Sequence, residues 1–254
     1  MTLTQVNATI SAVIKGIFES FIDLLYPPSC LLCRNAIPIK NKEIILCAPC
    51  LNAIQPNQPP FCKKCSRSLQ GYYQTPLCFE CRNLKPHFNF AYASCYYNDS
   101  MRKLIHLFKY GQKTALQYFF TELIDSFLKI YKIRLSHFDL LVPVPLHSVR
   151  LRERGYNQAH LLAKNLSKKL NIKLAESNII RIKNTKNQAV LSQKDRWTNI
   201  QGAFRIKQPS AFLKRSVLLI DDLLTTGATA SECAKILKAH GAKKVGVLTV
   251  AIAV

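Results

Sequence analysis

Asp221 and Asp222 stand side by side in the run from Val217 to Thr229, VLLIDDLLTTGAT. Two adjacent carboxylates repel each other and resist burial. At an open strand end they can instead accept hydrogen bonds from vicinal hydroxyls or face a hydrated magnesium ion. The apolar residues Val217 to Ile220 run without alternation, which is the pattern of a strand covered on both faces, and they place the acid pair at its carboxyl end. Just beyond, Thr225, Thr226, Gly227, Ala228 and Thr229 can turn backbone N–H groups and hydroxyls inward at the positive end of a following helix. A phosphate monoester fits there. An ordinary helix cap would need only one such residue, not the whole run.

A second set of residues suits a diphosphate. Val144, Pro145 and Leu146 follow another apolar run, and a turn there would present backbone amides. Arg150, Arg152 and Arg154 come immediately after. Arginine forks neutralise phosphate oxygens by paired hydrogen bonds, so these three, on an expected loop, would hold a diphosphate leaving group. His106 and His147 flank the same region, where a lone histidine is more often a packed or hydrogen-bonding residue than a catalyst.

Eight of the ten cysteines form four CxxC pairs: Cys30/Cys33, Cys47/Cys50, Cys62/Cys65 and Cys78/Cys81. Stretches of 13, 11 and 12 residues separate the pairs. Two residues between thiolates let both reach one tetrahedral ion, so the pattern points to two closed, structural Zn2+ sites. The first residues, MTLTQVNATISAV, lack the basic start of a signal peptide, which favours a reducing cytoplasm and zinc over disulfides. Sequential pairing of the four CxxC motifs is the simplest arrangement, and an interleaved one is equally compatible with the spacing. Cys95 and Cys233 fall outside the scheme and are expected to be small buried apolar residues.

These residues must be carried by a chain of 254 residues, enough for one ordinary domain and a smaller one. Hydrophobic residues make up 48%, which excludes wholesale disorder. The net charge is +22, with 16 Lys/Arg against three acids between Pro143 and Ser216. That density exceeds what one sugar diphosphate needs and suggests an additional polyanion such as nucleic acid, held through its backbone, the alternative being a solvated basic surface that aids solubility. Apolar spacing from Ile10 to Leu25 predicts an amphipathic helix over 8–26, ended by Pro27 and Pro28 and too short and charged for a membrane span. Three regions follow: that helix in 1–28, a separate cysteine-rich zinc module in 29–86, and a larger domain in 87–254. In the last, strands are expected near Phe88, Phe138, Ile179, Gly202, Val217 and Val245. Helices fall between them, with a polar loop over 184–199. Such alternation implies an α/β fold with a mostly parallel sheet flanked by helices.

The IDDLLTTGAT run resembles the phosphoribosyl diphosphate (PRPP) binding motif of type I phosphoribosyltransferases. That resemblance implies Mg2+ with PRPP as ligand, the acid pair on the ribose hydroxyls and Thr225 to Thr229 on the 5-phosphate. It also implies that the segment after Val144 is a pyrophosphate loop, and that Gln188, Arg196 and Trp197 lie in a flexible loop closing over substrate. Trp197 is either a lid anchor or a packed aromatic. Further segments, LIHLFKYG (Leu104 to Gly111), VPVPLHSVRLRERGYNQAHLLA (Val142 to Ala163), GAF (Gly202 to Phe204) and LLYPPSCLLC near the start, are similar to the ComF family of competence proteins across nearly the whole chain. That family closes with an arginine after the last strand, where this chain has Ile252-Ala253-Val254. The resemblance implies a cytoplasmic role in DNA uptake, peripheral to the inner membrane face at most, with a competence helicase and recombination proteins as partners. Alternatives are a phosphoribosyltransferase of nucleobase salvage, or a PRPP-binding protein without turnover. Some purine enzymes carry a carboxylate where Thr225 stands, and its absence removes the most obvious general base.

Overall fold

Continuous aliphatic runs set the centre of the structure. In the computed structural model, which describes residues 27–37, 45–69, 75–185 and 193–253, β6 (Ser216–Leu224) and β7 (Lys244–Ile252) are buried almost throughout. Around them lie β1 (Phe90–Tyr96), β2 (Leu140–Pro143) and β3 (Lys173–Leu174), in the order β1-β7-β6-β2-β3, with every neighbouring pair parallel. Gly246 is what lets β7 sit in the middle. A Cβ there would come within 2.8 Å of both the Phe90 and Phe138 rings, which meet over it edge to face at 5.8 Å. A small antiparallel hairpin, β4 (Ile179–Arg181) with β5 (Phe204–Ile206), stands apart from the sheet. The expected α/β fold is therefore present.

Helices α3 (Asp99–Tyr110), α4 (Leu116–Ile130), α5 (Ser148–Arg154), α6 (Gln158–Leu170), α7 (Gln193–Ile200) and α8 (Ala228–Ala239) complete this body. Asn98 caps α3 through the Met101 N–H at 3.0 Å, and Asn157 caps α6 through the Ala159 N–H at 3.0 Å. The Asn157 amide also donates to the Val144 carbonyl at 3.0 Å, so the start of α6 fixes the exit of β2.

Three expectations need correction. Strand β6 runs on through Leu224, beyond the expected Ile220, so the acid pair lies within the strand's carboxyl-terminal part. The expected arginine loop is the short helix α5, ended by Gly155 in the left-handed region at φ 78°. The expected polar loop over 184–199 contains α7, whose Ile200 and Trp197 pack on the core while polar residues cover the rest. The expected helix over 8–26 and Gln188 lie outside the described residues.

The chain divides into two compact units, Met1–Ile54 and Gln55–Val254. Each holds one four-cysteine cluster, Cys30/Cys33/Cys47/Cys50 in the first and Cys62/Cys65/Cys78/Cys81 in the second, so the pairing is sequential. The division falls inside the 29–86 segment. The second cluster belongs to the larger unit, where its cysteines join the same hydrophobic core as Phe88, Ala91, Ala93 and Val247. The two clusters are built alike. Ser29 bridges Ala36 and Phe61 bridges Ser68, and Arg34 and Ser66 take the same left-handed turn at φ 67° and 57°. The Cys30 and Cys62 N–H groups close the turn on the Asn35 and Arg67 carbonyls at 2.9 and 2.8 Å. In each, the later CxxC pair opens a short helix, α1 (Ala48–Asn52) or α2 (Phe79–Leu84). The copies are offset by 32 residues at the first pair, from Cys30 to Cys62.

All four sulfurs of each cluster fall within 4.8 Å of one another. Cys33 and Cys47 sulfurs are 3.5 Å apart, and Cys65 and Cys78 sulfurs 3.6 Å. Those spacings are far beyond a disulfide at about 2.05 Å. They match the edge of a tetrahedron with Zn–S about 2.3 Å, which is about 3.8 Å. Cys95 and Cys233 are buried apart from both clusters, as expected. Metal analysis should find two zinc ions per chain. Cys33→Ser should lose one and leave the melting of the larger unit unchanged, whereas Cys65→Ser should lose one and lower the unfolding free energy of the larger unit by about 3 kcal/mol or more, since metal binding there is folding energy.

Candidate functional site

The carboxyl ends of β6, β7 and β2 open into a cavity of about 810 Å³. This is the edge at which ligands bind in parallel α/β sheets. Asp221 and Asp222 both line it, with Thr225, Gly227, Ala228 and Thr229. Thr226 turns its hydroxyl back to accept from the Ala228 N–H at 3.4 Å and is not part of the wall. Gly227 takes φ 77°, a conformation that a residue with a Cβ adopts only under strain, and so lets the bend enter α8. Among the described residues, the N–H groups of Thr226 and Gly227 donate to nothing. A bend with unused amides before a helix N-terminus is a seat for an anion.

Strand alternation sends the two aspartates to opposite faces. Asp222 is 4% exposed, and its Oδ1 lies 2.8 Å from Lys109 Nζ at the end of α3. Burial acts against the Lys109 charge, yet Asp222 and Asp221 together hold its pKa above the usual value. Asp221 is half-buried, and its Oδ1 accepts the Asp222 N–H at 2.9 Å. Burial, reinforced by the Asp222 charge, pushes its pKa up to about 7. A cation beside Asp221, or hydroxyls donating to it, would favour its charged form.

Lys109 is placed by the start of α6. Tyr156 donates its hydroxyl to the Phe108 carbonyl at 2.6 Å, and the Gln158 amide donates to the Phe108 and Lys109 carbonyls at 3.4 Å each. Arg154 binds Gln158 Oε1 and the Tyr110 hydroxyl, both at 3.1 Å, and lies over the Tyr110 ring at 4.9 Å. Sequence reasoning missed Lys109. In an amphipathic helix it reads as one more solvated cation, and its only signal was a place in the LIHLFKYG segment.

The other expected residues divide by helical geometry. Val144, Pro145, Leu146, Arg150 and Arg154 line the cavity, while Arg152 is exposed and turned away. On α5, positions 150 and 154 share a face and 152 does not. Arg181 and Arg196 also line the wall, the former bonded to the Thr185 hydroxyl with its pKa lowered by burial. Trp197 is not in the wall. It packs against the core with its indole nitrogen buried, so of its two readings the packed aromatic holds. His106 lines the cavity against the Tyr110 ring at 4.9 Å, and His147 caps α5 by accepting the Val149 N–H at 3.3 Å.

Comparison with known proteins agrees with this arrangement. A phosphoribosyl transferase domain model matches residues 157–253, and a double zinc ribbon domain model matches residues 21–82. Competence protein F of Haemophilus influenzae is 31% identical over 224 residues, covering 86% of this chain and 94% of that protein. The chain belongs to the ComF family. ComFC of Bacillus subtilis is 36% identical over 146 residues, covering 57% of this chain and 56% of that protein. The DNA utilization protein YhgH of Escherichia coli is 28% identical over 228 residues, covering 88% of this chain and 96% of that protein. In this ComF protein the eight clustered cysteines are those of the double zinc ribbon, and the cavity lies in the phosphoribosyltransferase-like domain.

Breaking a buried ion pair from one side costs about 3–5 kcal/mol. Lys109→Met should therefore lower the unfolding free energy by about 3 kcal/mol in urea melts, and Asp222→Asn added to it should recover part of the loss. Equal stability of the two variants would mean that the pair contributes nothing.

Proposed function

We propose that this ComF protein binds PRPP with magnesium in the cavity and acts in DNA uptake by handling incoming single-stranded DNA on the cytoplasmic side. The observation that carries the ligand reading is the meeting, in one cavity, of the half-buried Asp221 carboxylate, the Gly227 amide, which has no acceptor among the described residues, and the guanidinium groups of Arg150, Arg154 and Arg181. In this reading the bend takes the 5-phosphate, the acids face the ribose hydroxyls and magnesium, and Pro145, Leu146 and the α5 arginines take the diphosphate. Magnesium supplies charge neutralisation between the diphosphate and the carboxylates. Arg196, in the cavity wall, adds a further cation for the phosphates.

Asp221 and Asp222 are the only carboxylates in the cavity wall among the described residues, and both already accept hydrogen bonds. No further acid stands ready as a general base, which favours a binding pocket over a salvage enzyme. The DNA reading draws on the competence and DNA utilization relatives and on charge. Of the cations between Pro143 and Ser216, Arg152, Lys164, Lys168, Lys173, Arg205, Lys207 and Lys214 are exposed outside the cavity. Of the aromatics that lie near basic residues, Tyr110 is 50% exposed, whereas Trp197 packs inward and Tyr156 is tied to α3. Contact would thus be mainly with phosphates. Among the described residues no helix is long and apolar enough to cross a membrane.

Calorimetry should show Mg2+-dependent binding of PRPP that Asp221→Asn weakens at least tenfold, and unchanged affinity would remove the site. Single-stranded DNA binding should fall linearly in log K against log salt, and a flat response would remove the DNA contact. A deletion strain should fail to transform while growing without added nucleobase. Normal transformation with a nucleobase requirement would select the salvage enzyme instead.

A further inference from the structure

Arg67 occupies the turn of the second ribbon at the position that Asn35 holds in the first. In both ribbons that residue closes the turn with its backbone carbonyl, and the Asn35 copy shows that the turn needs no guanidinium. The Arg67 side chain, 17% exposed, leaves the ribbon instead. Its Nη1 pairs with Glu80 on α2, and its Nη2 donates to the carbonyls of Thr225 and Ala253 at 3.3 Å each. The Ala253 N–H in turn donates to the Leu224 carbonyl at 2.9 Å. One guanidinium therefore clamps the ends of β6 and β7 at the point where β6 passes into the Thr/Gly bend.

The peptide bond gives that clamp a direction. In a trans peptide the C=O and the following N–H point opposite ways. Holding the Thr225 carbonyl toward the ribbon aims the Thr226 N–H away from it, and that N–H has no acceptor among the described residues. We propose that Arg67 is a positioning residue for the anion-binding bend, so that the second ribbon and the ligand cavity are energetically coupled. The coupling to ligand rests on the reading of Thr225 to Thr229 as a phosphate seat. Linkage makes it reciprocal: whatever the ribbon contributes to ligand affinity, ligand returns to ribbon stability.

The test uses the full-length zinc-loaded protein with Arg67→Asn, which installs the residue of the first ribbon, and Arg67→Lys. Amide hydrogen exchange is followed over residues 225–229 without ligand, alongside zinc content, Mg-PRPP affinity and the rate at which a chelator removes the second zinc. Arg67→Asn should keep both zinc ions and the protection of β6, while exchange in the bend quickens and PRPP affinity falls about tenfold, equivalent to about 1.4 kcal/mol. Arg67→Lys should be intermediate, and added guanidinium ion should partly restore the Asn variant. Mg-PRPP should slow zinc release in the native protein and not in Arg67→Asn. Unchanged exchange in the bend with zinc retained overturns the proposal, and so does loss of zinc, which would make Arg67 a structural part of the ribbon. If the native protein fails to bind PRPP, the phosphate reading falls, and the exchange comparison still decides whether Arg67 orders the bend.

Discussion

Two neighbouring carboxylates on a central strand cannot both stay charged in a packed interior without a counter-ion, and the arrangement around β6 answers that constraint. Asp222 faces inward and is matched by Lys109. Among the described residues no cation pairs with Asp221, and burial beside the Asp222 charge raises its proton affinity. Holding Lys109 in place requires the last turn of α3 to be fixed, and Tyr156 and Gln158 do this by donating to backbone carbonyls that have no N–H donor left within the helix. Asn157, between them, ties the same segment to the exit of β2. One short stretch of sequence thus registers a helix end, a strand end and a buried charge against each other.

The ribbons show one local fold put to two uses. A turn with a left-handed residue, closed by a backbone hydrogen bond, and a helix started by the later CxxC pair recur in both. In the first unit two of the four cysteines are half-buried and one is exposed, while in the second all four are buried with strand residues. The Ala91 N–H bonds the Lys64 carbonyl at 2.7 Å, and buried Asn57 donates to the Ser66 and Ala93 carbonyls at 2.9 and 3.1 Å. The second ribbon is therefore a wall of the α/β body, its four cysteines packed in one core with Ala91 and Ala93 of β1.

Much of the site was legible because its parts are contiguous. The strand, acid pair and Thr/Gly bend occupy thirteen successive residues, and local order alone brings them together. The parallel sheet could be read from unbroken aliphatic runs. What local order cannot show is a partner from far away in the chain. Lys109 and Arg67 sit in segments where a cation is expected on the surface, and only the tertiary fold turns them inward. Arg150, Arg152 and Arg154 posed a question of period: a loop would keep all three, whereas a helix selects the first and third. The helix over Gln193–Ile200 was hidden by its composition, since only Trp197 and Ile200 mark its buried side.

Strand order carries a consequence for synthesis on the ribosome. Among the described residues the earliest strand in the chain, β1, pairs with no other strand than β7, which is the last in sequence and also the one that separates β1 from β6. Until β7 has been translated and has cleared the exit tunnel, two apolar edges face each other across an empty slot one strand wide, and the nascent chain is exposed to self-association. A premature stop anywhere before Lys244 removes the strand that closes the interior, and leaves a product that chaperones and proteases would recognise as unfinished.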